Sequence, residues 1–338
     1  MPGPRSDRAP AMPAARRPEG RLRRRSTSPA CGSMDQQLAA MGPQQVLEGY
    51  RRSRLAAELA CGRRGSAHDL LSCISILGAP MGSSRVEDPA RIRALLESDR
   101  PWSAYALADL EPGFREHCRW LAREDSPPAL VMLYRRVDPP VIFALGTVER
   151  LAPLIREIEE PALFLHVRPE ALPAIGTRYR VVELQSQWRM TVEPERFRPV
   201  PSGDASRLGP RDVEAIRALY ADGGPRGEAP DFFDGSMVER GIFRGIWEGA
   251  GLVAVAGTHV VSHAESVCAI GNVYVRQDRR GRGLAARVTS AVAADALAKG
   301  LRTVALNVSQ RNRAALRVYE RLGFRLYCPF VAGRALRC

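Results

Sequence analysis

The strongest chemical signal in the chain is Gly271-Asn272-Val273-Tyr274-Val275-Arg276-Gln277-Asp278-Arg279-Arg280-Gly281-Arg282-Gly283-Leu284-Ala285. An apolar strand ends at Val275. A helix then starts at Leu284, puts Leu284, Val288 and Val292 on one face, and closes at Lys299-Gly300, a good C-cap pair. Gly281 and Gly283 stand just before that helix. Glycines there let backbone N–H groups come close to a ligand, and the unpaired N–H groups of a helix start favour a phosphate. The loop is not a P-loop, because no Gly-Lys-Ser/Thr follows. It also lacks the third glycine and the acidic strand end of a dinucleotide site.

Two further features give this loop its meaning. Arg280-Gly281-Arg282-Gly283-Leu284-Ala285 fits the spacing Arg/Gln-x-x-Gly-x-Gly/Ala. Downstream come an alternating strand, Arg302–Val308, and then Asn312, Ala315, Tyr319 and Leu322-Gly323-Phe324, an Asn-x-x-Ala-x-x-x-Tyr-x-x-x-Gly-Phe pattern. Together they resemble the GNAT superfamily of acyl-CoA-dependent N-acyltransferases over residues 250–328. The Asn-Val-Tyr-Val strand is similar to the branch containing glycine N-acyltransferase-like enzymes, and residues 85–200 resemble more weakly the noncatalytic half of such tandem proteins.

The resemblance implies an enzyme, an N-acetyltransferase with acetyl-CoA as acyl donor and a primary amine as acceptor, a small molecule or amino acid. Within the enzyme class the alternative is a protein N-terminus or lysine; outside it, a non-enzymatic acyl-CoA sensor. It further implies that backbone N–H groups of Arg280, Gly281, Arg282, Gly283, Leu284 and Ala285 hold the pyrophosphate, with Arg280 and Arg282 adding charge. The strand Val273, Tyr274, Val275 would pair with the pantetheine arm, its amide near Val273 or Tyr274 polarising the thioester carbonyl. Asn312 would touch that arm or cap its helix. Tyr319 would protonate the leaving thiolate. Many relatives carry a Glu on the fourth strand, whereas Cys268-Ala269-Ile270-Gly271-Asn272 has no carboxylate. Glu265 is therefore the expected base, with His263, His259, Glu239 or a water chain as alternatives.

These residues need a scaffold, and the pattern predicts an α/β (α+β) tandem GNAT-like fold, a mixed central sheet flanked by helices. Residues 1–84 read as a disordered Arg/Pro-rich extension, apart from a short helix at 44–60; Met34, Met41 or Met81 are possible starts. Residues 85–202 read as a first domain: a helix capped by Asp88, another over Trp102–Leu110 that stops at Glu111-Pro112-Gly113, and strands at 117–121, 129–134 and 141–145. A helix at 147–159, a strand at 162–167, a short helix at 169–175 and strands at 178–184 and 187–192 follow. Residues 203–338 read as the catalytic domain: helices at 210–220 and 234–241, a loop between them, and strands at 242–247, 252–261 and 267–275. Phe232-Phe233 either lines the acceptor site or packs. Trp102, Trp120, Trp188 and Trp247 read as core.

Composition narrows the class. The net charge is +13, but only one of the 50 basic residues is lysine, Lys299, and more than half of the excess lies in residues 1–80. No dense basic run falls on the folded part, which argues against a nucleic-acid partner. Seven cysteines at irregular spacings, with no CxxC, predict neither a disulfide framework nor a metal site. No stretch reaches the length of a membrane span. A cytoplasmic location is expected; the pattern says nothing of oligomeric state.

Overall fold

A computed structural model describes residues 84–224, 228, 230 and 232–338. The expected extension, its helix and its alternative starts lie outside the described residues, save Ser84, whose carbonyl accepts the Ala122 N–H at 2.7 Å. Part of the expected loop at 221–230 also lies outside them.

The first half begins with α1 (Pro89–Glu97) and α2 (Ala104–Ala108). Asp88 caps α1 by accepting the Ala90 N–H at 2.9 Å, and Pro89 takes the first helical position, where no N–H is missed. Then come β1 (Cys118–Arg123), β2 (Ala129–Tyr134), β3 (Val141–Leu145), α3 (Val148–Arg156), β4 (Ala162–Val167), α4 (Leu172–Ile175) and β5 (Tyr179–Val192). The second half holds β6 (Ser206–Arg207), α5 (Val213–Ala221), α6 (Ser236–Arg240), β7 (Arg244–Glu248), β8 (Gly251–Ser262), β9 (Val267–Val275), α7 (Leu284–Ala298), β10 (Thr303–Ser309), α8 (Arg313–Arg321) and β11 (Arg325–Arg337).

The eleven strands among the described residues form one mixed sheet in the order β1-β2-β3-β4-β11-β5-β10-β9-β8-β7-β6. Apart from the edge strand β6, that order is the same read from either end. Each half makes an antiparallel meander of three strands, crosses over through a helix, α3 or α7, and adds a parallel strand, β4 or β10. Each half then sends its last strand into the other. β11 pairs with β4, β5 pairs with β10, and β5 and β11 pair with each other at the centre, all antiparallel. The halves are therefore not two sheets laid side by side.

Strand alternation sets the two faces. Val304, Leu306 and Val308 of β10, with Cys268 and Ile270 of β9, join the core under α7 and α8. Ala305 and Val267 turn the other way, toward α1 and α2, in a core that also holds Phe143 of β3 and Phe330 of β11. The pair α1–α2 thus spans both halves on the face opposite α3 and α7.

Most expected elements are present within a few residues. The exception is the pair of strands expected at 178–184 and 187–192, which is one strand, β5. Gln185 and Ser186 break the apolar pattern, but β11 pairs straight across them, Ala332 with Gln185 and Val331 with Ser186. Ladder bonds made by a strand nearly 150 residues away override the local signal. Trp102 and Trp120 are core as expected, whereas Trp247 is on the surface.

This topology makes a prediction about separability. A polypeptide of residues 203–338 lacks β5, so β10 has a bare outer edge and β11 has no partner on either side. It is expected to be aggregated or unfolded by gel filtration and circular dichroism, and co-expression with residues 84–202 is expected to recover a soluble pair. A monomeric 203–338 that melts cooperatively would contradict the exchange of strands.

Candidate functional site

The centre of the site is a place where the sheet comes apart. β9 and β10 pair in parallel from Val267/Thr303 to Ile270/Leu306, and there the register ends. Past that point β9 stays with β8, through Val275 paired to Ala254. β10 stays with β5, through Asn307 paired to Arg189 and Ser309 to Gln187. Two strands that stop pairing leave facing backbone groups free for an extended ligand. A bulge starts the divergence. Asn272 has φ +54°, the left-handed region, and its carbonyl accepts the Tyr220 hydroxyl at 2.8 Å.

The stretch Val273, Tyr274, Val275 forms the β9 side of the opening and runs into the glycine loop. Asp222 ties that loop to the end of α5: its carboxylate accepts the Tyr274 hydroxyl at 2.9 Å and the Gln277 N–H at 3.0 Å. Gly281 has φ +80° and Gly283 φ +76°, and a Cβ on either would meet nothing within 4 Å. The glycines are needed for conformation, and the space beside them is open. Gly283 is the N-cap of α7, which has no capping side chain and no acid in its first turn. The first N–H groups of a 15-residue helix are thus left free behind Leu284 and Ala285, with the positive end of the helix dipole undiminished. Arg280 leans on the Tyr274 ring and pairs with Glu228 at 2.7 Å, while Arg282 is well exposed beside the loop.

Tyr319, on α8, lies in the same buried cluster as Val275, Leu284 and Val308, residues from both sides of the opening. Burial pushes its phenol up to about 12, so it keeps its proton through the neutral range. Asn312 caps α8 by accepting the Ala315 N–H at 3.0 Å, which spends its Oδ1.

Glu265 is not brought to the opening. It lies in the turn between β8 and β9, where Arg93 grips its carboxylate with contacts of 2.6 to 3.0 Å. Val275 is ten residues further on, about 30 Å along an extended strand. His263 is exposed in the same turn and Glu239 is exposed on α6. His259 alone of the four candidates is at the opening. Its ring covers Gly271, the first residue past the paired stretch, where any Cβ would collide with it. Burial holds its pKa down at about 4. Phe233 packs on Tyr220 and Phe243 at 5.2 and 6.2 Å between ring centres, whereas Phe232 is exposed. Cys268 is fully buried and its thiol is pushed up to about 12 by burial.

Several side chains over the opening had no signal in the sequence. Tyr105, on α2 of the first half, places its hydroxyl 3.0 Å from His259 Nδ1 and 3.3 Å from Asn307 Nδ2, and so bridges β8 and β10. Behind it are His166 on β4 and Arg189 on β5, 2.9 Å apart. Only the exchange of strands gathers these residues, so no local pattern marks them. Among the described residues no group of three or more His, Cys, Asp or Glu can hold a metal, and no helix is long and apolar enough to cross a membrane.

Residues 214–324 match the model of the acetyltransferase (GNAT) family. Among solved structures, a Drosophila protein is similar with a TM-score of 0.55 at 13% identity, over 75% of this chain and 99% of that one. A GCN5-related N-acetyltransferase from Kribbella flavida is similar with a TM-score of 0.50 at 17% identity, over 69% and 94%. A putative GNAT-family acetyltransferase from Novosphingobium aromaticivorans is 25% identical over 58% and 84%, with a TM-score of 0.42. No curated protein matches. The fold is the mixed α/β GNAT fold, and the expectation of a GNAT acetyltransferase pattern in the second half holds; the glycine N-acyltransferase-like branch stays an expectation.

The open space at Gly283 yields a clean test. Gly283→Glu strains a left-handed position and puts a negative charge where α7 presents free N–H groups. Titration calorimetry is expected to show acetyl-CoA binding at least about tenfold weaker, with the thermal midpoint little changed. Undiminished binding would mean that the loop holds no phosphate.

Proposed function

From the GNAT acetyltransferase pattern of residues 214–324, we propose that the protein is an acyl-CoA-dependent N-acetyltransferase that acetylates a primary amine by direct attack on the thioester. The observation that carries this reading is the opening between β9 and β10, set beside an uncapped helix start with two left-handed glycines. The opening suits an extended pantetheine arm and the helix start suits its pyrophosphate.

The backbone of residues 280–285 holds the pyrophosphate. Arg282 adds charge from the surface, and Arg280 does so once it exchanges Glu228 for phosphate. Residues 273–275 bind the pantetheine arm as an added strand, and an N–H at Val273 or Tyr274 polarises the thioester carbonyl. The amine nitrogen attacks that carbon, a C–N bond forms, and the C–S bond breaks. Tyr319 donates its proton to the leaving sulfur and regains one from solvent. A phenol held near 12 is uncharged whenever the amine is free to attack.

Among the described residues, no carboxylate stands at the opening to receive the proton lost by the amine. Glu265 stays bound to Arg93, and we assign it no part in the chemistry. The amine enters as the free base, and the proton its nitrogen still carries after the attack passes to water, with His259 a hydrogen-bond partner. The acceptor is small, and Tyr105 of the first half lies over the opening it reaches.

Tyr319→Phe removes one oxygen from a buried helix face. The turnover number is expected to fall by about a hundredfold or more, while the dissociation constant of acetyl-CoA changes by less than about twofold. Turnover equal to that of the parent protein would remove Tyr319 as the acid. Binding without turnover of any amine by the parent protein would favour the acyl-CoA sensor.

A further inference from the structure

Asn307 is the first residue of β10 beyond the stretch paired with β9, which ends at Leu306/Ile270. Strand alternation puts it on the face of Ala305, the side of α1 and α2, and pairing with Arg189 on β5 holds its backbone. Gly271 is the first residue beyond the same stretch on β9, and the His259 ring lies over it. The Tyr105 hydroxyl joins the two sides, 3.3 Å from Asn307 Nδ2 and 3.0 Å from His259 Nδ1. These contacts stand where the opening begins.

The hydrogens in this chain of contacts run one way. Asn272 Nδ2 donates to the Met237 sulfur of α6 at 3.6 Å, so the Asn272 oxygen is the atom left for the His259 ring. Burial lowers the pKa of His259 and the side-chain bond with Asn272 raises it, as an oxygen that accepts the ring N–H does. With the Tyr105 hydroxyl at Nδ1, the ring N–H is at Nε2 and Nδ1 is a bare acceptor. The Tyr105 hydrogen therefore goes to Nδ1, and the Tyr105 oxygen accepts from Asn307 Nδ2. The Asn307 amide is thereby fixed, with its nitrogen on Tyr105 and its Oδ1 free. That oxygen is enclosed, and no described residue donates to it. Native structures rarely leave an enclosed amide oxygen without a donor, which marks this one as a place for a ligand N–H.

We infer that Asn307 Oδ1 binds the attacking amine, accepting one N–H of the incoming nitrogen and keeping it through the reaction, so that Asn307 is a catalytic residue and the acceptor must be a primary amine. The inference rests on the acyl-transfer reading above and names the group that receives the amine there. A primary amine brings two N–H bonds. As its nitrogen attacks the thioester carbon, the C–N bond forms and positive charge grows on nitrogen, so the N–H···Oδ1 bond strengthens toward the transition state. One proton then passes to water, the C–S bond breaks, and Tyr319 protonates the sulfur. The N–H that remains on the amide stays with Asn307. A secondary amine has a single N–H, which it must lose, and its amide leaves Oδ1 without a donor. A hydroxyl acceptor fails for the same reason. An amide oxygen also takes a free amine without demanding an ammonium, in keeping with the fully buried Arg189 behind Tyr105.

The test uses the full chain, acetyl-CoA, and benzylamine, ethanolamine and glycine, each against its N-methyl derivative. The parent protein is expected to favour each primary amine that it acetylates by at least about thirtyfold in kcat/KM. Asn307→Leu, similar in size, is expected to lower kcat/KM for the primary amines by about thirtyfold, with the N-methyl derivatives within about threefold and the acetyl-CoA dissociation constant within about twofold of the parent. Tyr105→Phe frees the Asn307 amide to turn and is expected to erode the same preference by about fivefold. N-methyl amines that the parent turns over as fast as the primary ones overturn the inference, as does a preference that survives Asn307→Leu. Should Asn307→Leu fail to fold, a preference unchanged in Tyr105→Phe overturns it. A parent protein that binds acetyl-CoA and acetylates none of these amines fails as a transferase instead, and the role of Asn307 falls with that reading.

Discussion

Almost everything in this molecule depends on the antiparallel pairing of β5 with β11. These are its longest strands, 14 and 13 residues, and their register runs from Arg325/Thr191 to Arg337/Tyr179. The fit is close: any Cβ at Gly333 would collide with the Glu183 carbonyl. Since each strand is the last of its own half and the neighbour of the other half's parallel strand, neither half can complete its sheet alone. The opening inherits this dependence. Two strands can diverge only if each is held from outside, and β10 is held by β5 while β9 is held by β8. A strand of the first half thus keeps open the site of the second.

The two halves share a topology but not a site, and the difference is local. Between β9 and α7 lie eight residues, 276–283, enough for a glycine loop. Between β3 and α3 lie only Gly146 and Thr147. β3 and β4 also stop pairing early, at Phe143/His166. There the Trp102 indole donates to the Ala144 carbonyl at 3.2 Å and fills the space with a fully buried ring. A backbone carbonyl of the kind that the second half leaves for a ligand is satisfied in the first by the protein itself. The first half has no cradle and no opening, and what it contributes is a strand, a roof and a charge.

The legibility of the sequence follows the range of the interactions. The glycine loop, the α7 start, the Asn312 cap and Tyr319 are read from neighbours a few residues apart, and each is where the spacing put it. The strand at 267–275 is correct to the residue, because its apolar run and the turn before it are local signals. The local pattern splits β5 into two strands because the pairing that fuses them comes from β11. Tyr105, His166 and Arg189 were invisible for the same reason. Glu265 shows the limit from the other side: it is the right residue type near the right strand, but at the wrong end, and its partner Arg93 sits 172 residues earlier on α1.

That the described residues bring no carboxylate to the opening bears on how the proton moves. Tyr105 and Tyr319 are both pushed up to about 12 by burial and keep their protons, while His259, held at about 4, refuses one. None of these three groups changes charge across the neutral range; Asp109, one helical turn beyond Tyr105, is pushed up to about 7 by burial and does. None of the three draws a proton from an ammonium, and the buried Arg189 cation disfavours an ammonium nearby. The ionisation that limits the reaction then belongs to the acceptor in solution. The same buried cation that makes a base ineffective also makes a strong one unnecessary.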